Sequence, residues 1–131
     1  MVTPEQIEAF LGRLANEGAT YTEVENGLWT VQPGGDFDFT VVVHHSPPVV
    51  VLRVKVMGLP KKNDGLCRRL LELNATDLLH GSYGIQNDEI VLTEALELNH
   101  LDYEEFQASY ESITLALASH LRELAAFREA R

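Results

Sequence analysis

The side chains that could do chemistry are few and scattered. Five histidines, His44, His45, His80, His100 and His120, are the first candidates for metal ligation or proton transfer. A helical zinc site needs two of them four residues apart on one face with a carboxylate to complete the set, and no such pair occurs. Adjacent His44 and His45 project to opposite faces of any extended segment. No metal is expected. His45 beside Ser46 has the residue types of a base and a nucleophile, yet the G-x-S-x-G elbow that would expose such a serine is missing, and Pro47 and Pro48 account for a turn without catalysis. Cys67, the single cysteine, excludes an intramolecular disulfide. Although it stands beside Arg68 and Arg69, a lone helical cysteine ordinarily behaves as a small core residue.

Lys61 and Lys62 are the remaining candidates. In the run Gly58-Leu59-Pro60-Lys61-Lys62-Asn63-Asp64-Gly65 they stand at the start of a helical segment, where backbone N–H groups and two cations could hold an anion. The run lacks the G-x-x-x-x-G-K-[ST] order of a phosphate loop, and no G-x-G-x-x-G occurs elsewhere. Glu23, Glu25, Glu94 and Glu97 fall on expected outer faces, where carboxylates serve solubility. No residue emerges as catalytic, no cofactor is implied, and the chain is not expected to be an enzyme.

The elements that would position these residues belong to one folding unit. A chain of 131 residues suits a single domain over 1–131 that buries about two-thirds of its surface. Hydrophobic residues at 45% and charged residues at 23% argue against disorder. Twenty acids against ten lysines and arginines give a net charge of −10, which repels phosphate backbones and argues against nucleic acid. Arg53, Lys55, Lys61, Lys62, Arg68 and Arg69 nevertheless lie close enough in sequence to form a local basic patch. No apolar run could span a bilayer, and Met1 leads into Thr3-Pro4-Glu5 without a secretory signal, so a cytoplasmic protein is expected.

The first helix, expected over 4–17, begins with Thr3 as N-cap, Pro4 at its first position and Gln6 completing a capping box. Its apolar stripe is Ile7, Phe10, Leu11 and Leu14, and Gly18 is a natural stop. The period then changes to two. Asn26-Gly27 as a type I′ turn pairs Val24 with Trp29 and Thr22 with Val31. Pro33-Gly34-Gly35 as a second turn sets Val31 opposite Phe37 and Trp29 opposite Phe39. A strand over 36–44 and another over 49–57, joined by His45-Ser46-Pro47-Pro48, place Val41, Val43, Val50, Leu52, Val54 and Val56 on one face. On the other face Asp38 meets Lys55 and Thr40 meets Arg53, but Val42 meets Val51, with Val49 and Met57 nearby. That apolar patch calls either for a covering helix or for a partner.

A second helix over about 61–74 carries Leu66, Leu70, Leu71 and Leu73, with Asn74 able to close it in the left-handed conformation. A hairpin follows in which Asn87-Asp88 sets Ile85 opposite Ile90 and Tyr83 opposite Leu92. The last helix starts at Asp102, with Glu105 three residues on, and its stripe is Phe106, Tyr110, Ile113, Leu117, Leu121 and Leu124. Over 103–128 it would be about 39 Å long against a radius of gyration near 14 Å, so one end should overhang.

This order of elements, with the runs Leu70-Leu71-Glu72-Leu73-Asn74, Gly81-Ser82-Tyr83-Gly84-Ile85, Ile90-Val91-Leu92 and Leu96-Glu97-Leu98, resembles the YbjN family, which is similar in fold to the type III secretion chaperones. The resemblance covers nearly the whole chain and is densest from Leu70 to Phe106. It implies an α+β fold, an antiparallel sheet made of a meander and a second hairpin, with three helices. It also implies an acidic homodimer that binds an unidentified protein partner as a chaperone or stress regulator, and it transfers no catalytic residue. The extended meander around Asn26-Gly27 looks more like YbjN proteins than secretion chaperones. The partner surface is expected at Val42, Val49, Val51 and Met57. An anion-sensing role for Lys61 and Lys62 is the alternative.

Overall fold

The computed structural model describes residues 1–129. Its elements run α1 (Pro4–Ala15), β1 (Thr20–Glu25), β2 (Leu28–Gln32), β3 (Val41–Ser46), β4 (Val49–Gly58), α2 (Asp64–Thr76), β5 (Ser82–Gln86), β6 (Glu89–Glu97) and α3 (Tyr103–Glu129). The six strands form one antiparallel sheet in the order β1-β2-β3-β4-β6-β5. The architecture is α+β, a four-stranded meander extended by a second hairpin.

Local chemistry explains the ends of the helices. The Thr3 hydroxyl accepts from the Gln6 amide and the Gln6 side chain accepts from the Thr3 amide, the reciprocal box read from the sequence. At the start of α3, Asp102 Oδ1 accepts from the Glu105 amide at 2.8 Å. Both ends of these bonds lie outside the core, so they fix entry angles while packing supplies the stability.

That packing is one-sided. Trp29, Val31, Val41, Val43, Val50, Leu52, Val54, Ile90 and Leu92 turn inward and are buried. Ile7, Leu11 and Leu14 of α1, Leu66, Leu70 and Leu73 of α2, and Phe106, Ile113, Leu117 and Leu124 of α3 join them in one cluster. All three helices therefore spend their apolar stripes on the same face of the sheet.

The β5–β6 hairpin has the expected register, Ile85 with Ile90 and Tyr83 with Leu92. Asn87 and Asp88 both take positive φ, 51° and 60°, as a type I′ turn requires. The meander departs from expectation at each turn. Across Asn26-Gly27 only Gly27 takes a positive φ, 81°, so the turn is not type I′. A bulge between Glu23 and Glu25 follows, and Trp29 pairs with Glu23, Val31 with Tyr21. Val24 is left 58% exposed. Pro33-Gly34-Gly35 is no tight turn: Val31 pairs with Val41 and Trp29 with Val43. Phe37 and Phe39 stack on each other in the connecting loop, ring centroids 5.6 Å apart. Gly34 serves another purpose, because a Cβ there would stand 2.5 Å from the Gly18 carbonyl oxygen, so the loop closes down on the end of α1.

The β3–β4 turn is tighter than expected. Pro47 and Pro48, joined by a cis peptide, form it alone, so the register slides by two: Val42 meets Arg53 and His44 meets Val51. A slide of two keeps every side chain on its expected face. A bulge between Lys55 and Met57 does the opposite at the far end of β4. It turns Met57 inward, opposite Ile90 and only 7% exposed, and so removes it from the outward patch where the sequence placed it.

Two helix expectations also change. Asn74 lies inside α2, which runs to Thr76 and ends on Asp77 in the right-handed conformation. The Asn74 side chain bridges to β5, accepting from the Tyr83 amide at 2.7 Å and donating to the Tyr83 carbonyl at 3.2 Å. An amide side chain thus pairs with the outermost strand as another strand would. The end of α3 does not overhang alone. Leu124 is 1% exposed, Glu123 binds Arg69 of α2, and Phe127 packs at the position of Gly65. Helix α2 thus meets the end of α3 at Glu123 and Phe127, and Lys55 and Val56 of β4 lie alongside Leu121 and Ala125.

Candidate functional site

The face of the sheet opposite the helices carries no covering helix among the described residues. Crossing it in rows, Thr30, Val42, Arg53 and Thr93 are neighbours, and beside them lie Leu28, His44, Val51 and Ala95. Leu28, Val42, His44, Ser46, Val51 and Arg53 line a concavity of about 330 Å³. Val42, Val49 and Val51 are half-buried, whereas their sequence neighbours Val41, Val43, Val50 and Leu52 are 0% exposed. The structure thus brings three of the four expected patch residues to one face. Arg53 Nε donates to the Thr93 hydroxyl at 3.3 Å. Among the described residues no carboxylate lies within ion-pair reach of its guanidinium. In a chain of charge −10, a half-buried arginine without an acid marks a surface whose polar groups are not all used internally.

Lys61 and Lys62 are exposed and lie ahead of α2, not in its first turn. Asn63, the N-cap, makes no side-chain capping bond; it donates instead to the Pro60 carbonyl at 3.0 Å. Cys67 is half-buried, with its thiol 3.7 Å from the Asn63 side chain, and lines a small apolar cleft between α2 and β5.

The histidines separate as their positions dictate. His44 faces outward, while His45 Nε2 lies 2.9 Å from the Val2 carbonyl oxygen on the other side. His45 and Ser46 therefore do not form a base–nucleophile pair. Among the described residues no three histidine, cysteine or carboxylate side chains come together in a way that could hold a metal ion.

Two histidine–carboxylate meetings escape the sequence reading. His80 Nδ1 is 3.3 Å from Glu94 Oε2, which also accepts from the Ser109 hydroxyl at 3.3 Å. His120 lies between Tyr83, with the hydroxyl 2.7 Å from Nδ1, and Asp77, 3.2 Å from Nε2. In the tautomer that satisfies all three groups, Nε2–H donates to Asp77 and the Tyr83 O–H donates to Nδ1. Burial, and then the charge of Asp77, raises the Tyr83 hydroxyl well above its ordinary value, while the Thr76 hydroxyl and then His120 lower Asp77. A neutral, buried tyrosine that holds a histidine makes a strut joining β5, α2 and α3. It lacks the accessible nucleophile that acyl or phosphoryl chemistry needs. The signal was present in the spacing: His120 stands three residues after Leu117 and seven after Ile113, on the inward stripe.

Among the described residues no helix is long and apolar enough to cross a membrane. None of the curated protein sequences compared with the chain matches it. Solved structures match in fold. YbjN from E. coli is 17% identical, with 92% of each chain covered and a TM-score of 0.69. A chain of the heterodimeric ExoU–SpcU complex from the type III secretion system of Pseudomonas aeruginosa is 12% identical, with 77% of this chain and 85% of that one covered and a TM-score of 0.64. A chain of the complex of the Yersinia pestis type III secretion chaperone SycH with a stable fragment of YscM2 is 17% identical, with 85% of this chain and 96% of that one covered and a TM-score of 0.58. At these identities the likeness is one of fold. The family model CesT_Tir_1 matches residues 2–130, nearly the full length. The chain belongs to the CesT_Tir_1 family, the type III chaperone family.

Proposed function

We propose that the chain is a non-enzymatic, chaperone-like or stress-regulatory protein-binding module that acts as a homodimer and presents the outward face of its sheet, through Val42, Val49 and Val51, to a protein partner. The observation that carries this reading is the asymmetry of the sheet: three helices crowd one face and leave the other with half-buried valines around an arginine that has no ion-pair partner among the described residues. Family membership supports it, as do solved relatives determined in complexes with other proteins. Burying the exposed remainder of each valine contributes on the order of 1 kcal/mol. That sum is far below the roughly 8 kcal/mol of a micromolar complex, so Leu28, His44 and Arg53 must contribute as well.

The test is capture from the native cell on the immobilised full chain, with Val51→Lys as the matched bait and light scattering of both proteins. A partner held by the wild type and lost from a folded Val51→Lys, or a dimer that becomes monomeric, supports the reading. Equal capture and equal mass for the two would overturn the face assignment.

A second reading keeps Lys61 and Lys62 as an anion sensor. It is favoured by two adjacent exposed cations ahead of a helix whose N-cap side chain leaves the first amides uncapped. Inorganic phosphate should then raise the melting temperature of the wild type and not that of a Lys61→Ala, Lys62→Ala double variant. An equal response of both proteins would dismiss it.

A further inference from the structure

On the helical side of the molecule, the end of α1, the 33–37 segment and the middle of α3 enclose a second concavity, of about 200 Å³. Leu14, Phe37, Tyr110 and Leu115 supply apolar and aromatic walls, and Glu17 and Glu111 supply carboxylates. Leu115 is 59% exposed although its helical neighbours Tyr110, Ile113, Thr114 and Leu117 are buried. Glu17 is tied to α3, accepting from Gln107 Nε2 at 3.0 and 3.3 Å. Tyr110 is 6% exposed, and its hydroxyl, like that of Tyr103, is buried without a hydrogen-bond partner among the described residues. A buried hydroxyl without a partner is uncommon and asks for an explanation.

The protein itself shows a cation held on the ring, not on the hydroxyl, of such a tyrosine. Tyr103 lies seven residues earlier on the same stripe of α3, and the Arg13 guanidinium carbon sits 3.8 Å from the centroid of its ring. Tyr110 has no such internal cation, while it shares its concavity with two acids. Burial, and then the Glu111 charge, pushes the Tyr110 hydroxyl up to about 12, so it is a neutral hydroxyl at physiological pH.

We infer that this concavity receives a basic side chain, foremost an arginine, of a partner polypeptide, with the guanidinium between Glu17 and Glu111 and its aliphatic stem along Phe37 and Leu115. The inference rests on the protein-binding reading above but not on the sheet face. Charge complementarity selects the occupant: the chain carries −10 overall, the mouth carries two carboxylates, and the apolar walls match the stem that arginine and lysine keep dry.

The test is a backbone NMR titration of the full chain with a short alanine peptide carrying arginine between two leucines, and with its norleucine twin. Saturable shifts at Glu17, Phe37, Glu111 and Leu115 are expected with the arginine peptide, and binding of the twin should be at least about fivefold weaker. Glu17→Gln and Glu111→Gln, both at exposed positions, should each weaken the arginine peptide by about two- to fivefold, the range of an exposed ion pair. Equal affinity of the two peptides overturns the cationic assignment, and shifts confined elsewhere, or no binding, overturn the site. Val51→Lys separates the two readings. A peptide that fails here while capture still depends on Val51 sinks this inference alone. A peptide that binds while capture ignores Val51 sinks the sheet-face reading alone.

Discussion

The two faces of the sheet are built from the same strands, often from adjacent residues, yet they obey different rules. Val50 and Leu52 are 0% exposed beneath the helices, while Val51 between them is half-buried beside His44 and Arg53. Inward positions beneath the helices are mostly apolar and crowded, so packing dictates their identity, and the polar exceptions on that face, His45 opposite Val50 and Glu94 opposite Leu52, are held by hydrogen bonds to Val2 and Ser109. Outward positions mix valines with threonines, an arginine and a histidine, a composition that neither a solvated face nor a core would choose. The fold is thus held from one side, and the proposed binding surface lies on the other.

That contrast sets the order of expected effects. Leu52→Ala should cost about 2–5 kcal/mol in denaturant unfolding, because it leaves a cavity in the shared core, whereas Val51→Ala should cost less than about 1 kcal/mol. Similar costs at the two positions would erase the distinction. Asn74→Ala should cost about 1–3 kcal/mol, since it strands the Tyr83 amide and carbonyl at the sheet edge, and it should speed amide exchange at Tyr83 before any other site on β5. Thr3→Ala should cost about 1 kcal/mol by opening the capping box, with no effect on the outward face.

One further effect is absent at neutral pH and confined to alkaline pH. Tyr110 in the folded chain is raised to about 12, from an ordinary value of 10.0. Its contribution to stability is therefore fully present below pH 10 and is lost as pH climbs towards 12, because the unfolded chain releases that proton first. Tyr110→Phe should flatten this part of the stability profile and leave neutral-pH stability unchanged or slightly raised, since it removes a hydroxyl without a partner. An unaltered alkaline slope would show that other tyrosines carry it.

How much of this was legible depended on whether the signal was local. The capping box at Thr3 and Gln6 and the Asn87-Asp88 turn are written in neighbouring residues, and both are found as read. The outward valines were legible because a register slide of two preserves the face, even though Val42 pairs with Arg53 and not with Val51. The bulges at Val24 and Val56 left no mark in the residue types, so Met57 was assigned to the wrong side. Gly34 looked like a turn residue because its close approach to Gly18 is a tertiary fact. Asn74 looked like a helix stop because its partner, Tyr83, lies nine residues away. The concavity at Tyr110 was invisible for the same reason, being assembled from α1, a loop and α3.

The most direct test of the account is methyl NMR of the valines while the chain is titrated with a captured partner, or concentrated to drive its own pairing. Val42, Val49 and Val51 should shift and broaden, while Val41, Val43 and Val50, one residue away in the same strands, should stay in place. Association that leaves the three outward valines unmoved would contradict the claim that this open face of the sheet is where the protein binds.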